Sequence, residues 1–361
     1  MKITVVLSFI LCVAFATLAR AACTGTPVSA FGAKGDGHTD DSAAIQSAIS
    51  AAGAAGGGAV VFSVARYYTT TAFIVPAGVV LCGTIEGPFD VSGINPATTA
   101  IAPTLLVTST SGPFITLNGL GAGVTDLLFH YPNQVGPTAA APTQYPYTIL
   151  TNYPGTKVVR STVTNAYNFL DIESGRVIAQ DLDIGAFNIG VNIDHATDHV
   201  TLRNLLFSVY WDIMPLANVP STIDNWVMSH AIAMVANRVD GLEVHDFNVF
   251  FHYAGMLFTD SPDSTQNPRC GYGAGSDIDL DIVQVAIMFT ASGAQGYQFT
   301  NLTTSAASGA QAAVQLKTGG SVAPNVLING GSVVGTWASG PFPTPAAGNL
   351  TAVNVIGFNL P

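Results

Sequence analysis

The chain has 361 residues, of which 48% are hydrophobic and only 9% charged, with 22 acidic against 11 basic side chains and a net charge of −11. So acidic a protein excludes nucleic acid as a partner, and a polyanionic substrate would need a local basic patch or a bridging cation to approach it. Few charges among abundant small residues suit buried, stacked strands and tight turns, and the length suits one elongated domain.

Residues Ile3 to Leu18 form an apolar run too short for a comfortable membrane span, after Lys2 and before Ala19-Arg20-Ala21. That order predicts a secretory signal over 1–22. Its removal takes Lys2 and Arg20 away and leaves a mature chain, 23–361, with nine basic and 22 acidic side chains and a net charge near −13. The residues before Cys23 lack the leucine of a lipoprotein site, so the expectation is a secreted protein, extracellular or periplasmic, with no membrane attachment afterwards. Cys12 leaves with the signal. Cys23, Cys82 and Cys270 then allow one disulfide at most, pairing open, and their wide spacing predicts structural burial rather than metal binding.

Phe31 to Ile49, FGAKGDGHTDDSAAIQSAI, comes next. Gly32, Gly35 and Gly37 supply positive-φ turns, Thr39 or Asp40 offers an N-cap oxygen, and Asp41 puts negative charge in a first helical turn. Ala43, Ala44, Ile45, Ala48 and Ile49 give that helix an apolar face, and the glycines from Gly53 to Gly58 end it before a β-rich run. Such a helix can plug the end of a coil stack.

This stretch closely resembles the opening of the pectate-lyase-like superfamily, in which FGAKGDGxTDDxxAIQxAI leads through GGG into the first strands. Gly56-Gly57-Gly58 follow here, and Val75-Pro76-Ala77-Gly78-Val79-Val80-Leu81-Cys82-Gly83 is similar to the family's PxGVxLxG turn. The resemblance covers roughly residues 28 to 83 and departs at Ser63 to Tyr68, where the family writes Pro-Ala-Gly-x-Tyr. It implies an all-β right-handed parallel β-helix with a short N-terminal capping helix, related to rhamnogalacturonase, epimerase and polygalacturonase proteins. It implies a cap over 28–58, rungs over about 59–335, and a Pro/Gly-rich linker with a last strand over 336–361. The fold hosts hydrolases, lyases, epimerases and phage tailspikes, so it does not choose a reaction.

From residue 124 strand phrases recur at about 20 to 30 residues, the signature of a solenoid. They start at Val124, Val158, Val177, Val200, Leu242, Ile278, Tyr297, Val326 and Ala352. Asn165, Asn204, Asn301 and Asn329 fall near their ends, where asparagine tolerates left-handed turns. Pro132 to Pro154 and Ser261 to Gly275 read as long loops able to wall a groove. The last strand leaves little sequence for a C-terminal cap, and an open end invites pairing into a homo-oligomer.

Sixteen of the 22 acids and five of the seven histidines lie between Lys157 and Asp281, which places any active site in the middle rungs. Aligning Val200, Leu242 and Ile278 gathers Arg203, Glu243, His245, Asp279 and Asp281 on one outward face, with an extra rung near Trp226 to Val235 as the alternative spacing. These are the candidate catalytic residues. Paired carboxylates suit general acid and base work on a glycoside, or Asp279 and Asp281 could bind Ca²⁺ in a lyase, with Arg203 or His245 as proton acceptor. The alternative is a solvated face of compensating charges. No other cofactor is implied.

Val191 to His195, VNIDH, is similar to the VWIDH phrase of pectate lyases, which makes Asp194 and His195 candidate groove residues, with a structural role for His195 as the alternative. Asp171 with Glu173, and Asp181 with Asp183, are further pairs. Trp211 and Tyr253, near rung ends, are candidate sugar platforms, or core aromatics. Polygalacturonase signatures are absent from the middle of the chain. The expected function is a secreted polysaccharide-active enzyme, glycoside hydrolase or polysaccharide lyase of the pectin-degrading type, on a substrate that could contain uronic acid. The alternative is a non-catalytic carbohydrate-binding or tailspike-like adhesin.

Overall fold

A computed structural model describes residues 23–134, 141–209, 221–263, 265, 270–291, 296–316, 325–342 and 349–358. The predicted signal over 1–22 and Trp211 lie outside them.

The protein is a right-handed parallel β-helix. Each turn contributes to three parallel sheets. The first runs from Thr26–Pro27 through Gly58–Phe62, Val79–Gly83 and Gly123–Thr125 to the beginnings of the later strands. The second contains Asp36–Asp40, Ala65–Thr69, Pro103–Val107 and Leu128–His130, and then the middles of those strands. The third contains Phe73–Pro76, Ile115–Asn118, Tyr147–Thr151, Ile232–Ala236 and Ala312–Leu316, together with strand ends such as Asn168–Ile172 and Ile189–Ile193. One strand, Val177–Ile193, passes through all three.

Inward residues stack from layer to layer because every pairing is parallel and, apart from a few bulges, in register. Leu81, Val124, Val158, Ala179, Leu202 and Val244 form one such buried column. Between the first and second sheets a single left-handed residue turns the chain in most layers: Asp126, Arg160, Asp181, Asn204, Asp246, Asp277, Asn301 and Asn354 all have φ between 46° and 60°. Short polar side chains tolerate that conformation and bond along the stack. Asn204 Nδ2 donates to Asp181 Oδ1 and Asn301 Nδ2 to Asp277 Oδ1, each at 2.8 Å. Asn165, Asn204 and Asn301 are left-handed as expected; Asn329 is not, because Gly330 takes the turn beside it.

Helix α1, Ser42–Ala54, covers the N-terminal end with Ile45, Ala48, Ile49 and Ala52 buried, whereas Ala43 faces solvent. Asp41 stands at the N-cap but is itself buried, its carboxylate accepting the Lys34 and Gly35 N–H groups at 2.6 and 3.0 Å. Cys23 and Cys82 form the disulfide, and Cys270 is free and buried. The last strand, Asn349–Phe358, pairs on one side with Asn325–Val334, and its Val353 and Ile356 are exposed.

Two predicted loops are shorter than expected. Tyr147–Thr151, inside the Pro132 to Pro154 segment, is a strand of the third sheet. Residues Tyr272–Ser276 are already strand and pair with 240–245, so the polypeptide enters the first sheet before Ile278. Gly273 and Gly275 disguise this strand as a turn. A Cβ on Gly275 would stand 2.6 Å from the Ile278 side chain, so the smallest residue is what packs there.

Candidate functional site

That early entry reorders the expected cluster. Glu243 lies opposite Ala274 and His245 opposite Ser276 in the first sheet, while Asp279 lies opposite Asn248 and Asp281 opposite Phe250 in the second. Arg203 is beside His245 in the adjoining layer of the first sheet, and exposed. The left-handed corner at Asp246 and Asp277 separates the two groups, so the five side chains do not converge. Glu243 instead approaches His199 Nε2 at 3.3 Å and His245 Nε2 at 3.9 Å. Asp281 accepts the Ser305 hydroxyl. The segment near Trp226 is not an extra rung: helix α2, Ser221–His230, leads into the third-sheet strand Ile232–Ala236 of the same turn.

Titratable groups converge at the C-terminal edge of the third sheet. Glu173 follows the strand ending at Ile172, and Asp194 and His195 follow Ile193 in the next layer. His195 is left-handed, φ 51°, which swings its ring across the layers. Its Nδ1 lies 2.5 Å from Glu173 Oε2 and 3.7 Å from Asp194 Oδ2, and its Nε2 lies 3.1 Å from Asp263 Oδ2. Asp263 comes from the long loop after the third-sheet strand two layers on. Asp194 is buried and fully engaged: Oδ1 accepts the His195 and Arg238 N–H groups, and Oδ2 the Ser261 hydroxyl at 2.8 Å. It fixes both the histidine and the base of the loop that brings Asp263.

Behind the edge, Asp171 accepts from Asn192 at 2.8 Å, and Asn192 from Asn237 at 2.7 Å, a polar row crossing three layers of the same sheet. Asp171 and Asn192 are partly exposed on the outward face, whereas Asn237 is buried at the end of the row. Helix α2 flanks the opposite margin, where Trp226 stacks on His230 at 3.8 Å and its indole N–H donates to the Phe187 carbonyl. Tyr253 is half-buried in the passage between the second and third sheets.

Environment drives these carboxyls apart. Burial, and then the Asp171 charge, push Glu173 up to about 7. Burial likewise raises Asp171. Asp263 is held down at about 2, chiefly by the backbone and side chain of Thr265 and then by His195. His195 is raised, first by its bond to Asp263. Two carboxyls on opposite nitrogens of one ring, one tending to hold a proton and the other ionised, make a proton relay. Glu173, Asp194 and His195 also offer ligand atoms within 4.8 Å of one another, the one such set among the described residues. A mixed oxygen and nitrogen set suits a transition metal better than Ca²⁺.

The VNIDH phrase contains Asp194 and His195, which lie at this edge beside Glu173 of the Asp171 and Glu173 pair. Nothing in the sequence marks Asp263. It sits 68 residues beyond His195 in an irregular loop, and no periodicity marks it.

Residues 26–229 match the family described as rhamnogalacturonase A/epimerase, pectate lyase-like. No curated protein matches the chain in sequence. Among solved structures it is similar to an exopolygalacturonase of Thermotoga maritima, at 12% identity and a TM-score of 0.56, covering 94% of this chain and 93% of that one. It is similar to a DFA-IIIase of Arthrobacter chlorophenolicus, at 11% identity and a TM-score of 0.58, covering 92% and 87%. It is also similar to the tailspike of Escherichia coli bacteriophage HK620 in complex with a pentasaccharide, at 10% identity and a TM-score of 0.66, covering 93% and 63%. At these identities the likeness is one of fold.

Proposed function

The chain belongs to the rhamnogalacturonase A/epimerase, pectate lyase-like family, and from that premise we propose that it is a secreted glycoside hydrolase acting on a polysaccharide along the third sheet. The observation that carries the reading is the Glu173–His195–Asp263 relay. Glu173 donates its proton to the glycosidic oxygen as the bond to the anomeric carbon breaks. Asp263 takes a proton from the attacking water, and His195 returns it to Glu173, so the relay ends as it began. Asp194 positions the imidazole. Asp171 and Asn192 hold sugar hydroxyls, and Asn237 orients the Asn192 amide.

Retaining carboxyl pairs stand about 5 Å apart and inverting pairs about 6.5–9.5 Å. Hydrogen bonds of 2.5 and 3.1 Å with an imidazole ring between them favour the wider class, hence inversion at the anomeric carbon. Two further acids, Asp171 and Asp194, neighbour the relay, which favours a neutral glycan over a uronate. The β-elimination alternative, with Ca²⁺, would instead release an unsaturated uronate.

The test is a panel of neutral and uronic polysaccharides followed for reducing ends, ultraviolet absorbance and product anomer. New reducing ends of inverted configuration, lost in a folded Glu173→Gln variant, support the proposal. Chelator-sensitive ultraviolet absorbance would replace it with the lyase. Binding without cleavage would replace it with the adhesin.

A further inference from the structure

A second carboxyl with a displaced proton equilibrium lies on a different sheet, in a different kind of place. The segment between the strands Val79–Gly83 and Pro103–Val107 crosses the outer face of the second sheet as a strap. Thr162 pins it: its hydroxyl accepts the Phe89 N–H at 2.7 Å and donates to the Phe89 carbonyl at 3.2 Å. Phe89, Val91, Ala102 and Leu128 form a small core of their own beneath it. Beside that core the strap leaves a cleft of about 200 Å³ over the sheet.

Its walls are Phe89 and Val91 from the strap and Ile184 and Leu206 from the sheet, and its charged groups are Asp183 and Asp90. Asp183 lies between Thr162 and Leu206 in register and makes no hydrogen bond or ion pair among the described residues. Asp90 holds the Ser92 N–H at 2.8 Å. The other charges of the surrounding elements are engaged elsewhere. Arg160 pairs with Asp126 at 2.7 Å where the strap begins, and Glu86 lies on the strap beside that pair. His130, two strands away, bonds Thr164 at 2.6 Å, and burial keeps its ring neutral, pushed down to about 4. Among the described residues no basic side chain lines the cleft.

Apolar walls around an unpaired carboxyl, with a second carboxylate at the rim and no cation, reject anions and gain from a cation on a compact body. We infer that this cleft binds a primary ammonium group carried on a single six-membered ring, with Asp183 as its counter-ion. The volume admits about one such ring. The ammonium source is an amino sugar unit or a simple cyclic amine. The site is separate from the relay and does not depend on its activity.

Burial, and secondarily Asp90, raise Asp183 to about 6, so affinity for the ammonium group rises as pH passes from below to above that value. The experiment is calorimetric titration of the whole protein with D-glucosamine, cyclohexylamine and D-glucose at pH 5 and 7, where both amines are mainly ammonium. The expected result is saturable binding of glucosamine at pH 7, weaker by about tenfold at pH 5 and by at least tenfold in the near-isosteric Asp183→Asn variant. Cyclohexylamine binding as tightly means that the ammonium group alone is read; binding more weakly means that sugar hydroxyls contribute. Leu206→Trp, which fills the cleft, abolishes binding while thermal melting verifies the fold. Equal affinity for glucose, retention in Asp183→Asn, or no saturable binding up to about 10 mM overturns the inference.

Discussion

Glu173 at the edge of the third sheet and Asp183 in the second-sheet cleft are raised by the same cause, withdrawal from water, yet they are built for different work. Glu173 touches a histidine that touches an ionised carboxylate, so a proton it loses has a way back. Asp183 makes no hydrogen bond or ion pair among the described residues, and Asp90 only opposes its ionisation. Desolvation alone makes a carboxyl hold its proton; a relay of partners is needed to make it deliver one. The comparison separates a perturbed group that can turn over from one that can only bind.

The sharpest way to break this contrast is to remove each proton in turn. Glu173→Gln should lower glycan cleavage by about 10²–10⁴-fold, the usual worth of general acid catalysis. Asp183→Asn should leave it unchanged, as measured by initial rates on the best polysaccharide of the panel. A large loss in Asp183→Asn with none in Glu173→Gln would reverse the assignment. The pH profile gives the next effect. Glu173 must be protonated to act, so the rate should fall about tenfold per pH unit above about 7. Asp263, held near 2, should impose no acid limb within the stable range. A smaller change than that of Glu173→Gln should come from Asp263→Asn, which removes the main cause of the raised His195. Asp263 is also the proposed base, so cleavage should drop about 10²-fold, the low end of general base catalysis, with the imidazole titrating lower by NMR.

Both regions were partly legible in the sequence, for different reasons. The coil architecture was readable because a parallel stack repeats its demands: an apolar alternation in every turn, and a residue tolerant of left-handed φ at the same corner, as at Asn204 and Asn301. The register of one layer was not, because Gly273 and Gly275 carry no side chain to mark the strand they occupy. That error alone brought Asp279 and Asp281 next to Glu243 and His245. Asp194 and His195 were visible as a phrase and Glu173 as a pair with Asp171, but their partner Asp263 comes from a loop whose path no pattern sets. The cleft was invisible for a similar reason. In the sequence Asp183 reads only as one of a pair of carboxyls with Asp181, whereas the strap that dries it lies more than 80 residues earlier and is joined to the sheet through Thr162, whose hydroxyl bonds Phe89 across a separation of 73 residues.

The smallest predicted effect tests whether Asp183 is a group whose ionisation opposes folding. Its proton is held more tightly in the folded protein than in the unfolded chain, where an aspartate titrates near 3.8. The native state therefore binds more protons between about pH 4 and 6, and stability falls as pH rises through that window. Below it both states are protonated and nothing is lost; above it the full penalty of a buried carboxylate is present. A shift of about two pH units sets an upper bound of about 3 kcal/mol, and the partial exposure of the cleft reduces it to about 1–2 kcal/mol. Asp183→Asn keeps the shape and removes the charge, so it should melt about 2–4 °C above the wild type at pH 8 and level with it at pH 4. The same substitution should destroy ammonium binding, so one change would raise stability while removing a ligand. That opposition distinguishes a binding carboxylate from a structural one. A structural Asp183, satisfied by its surroundings, would make the variant melt lower at pH 8.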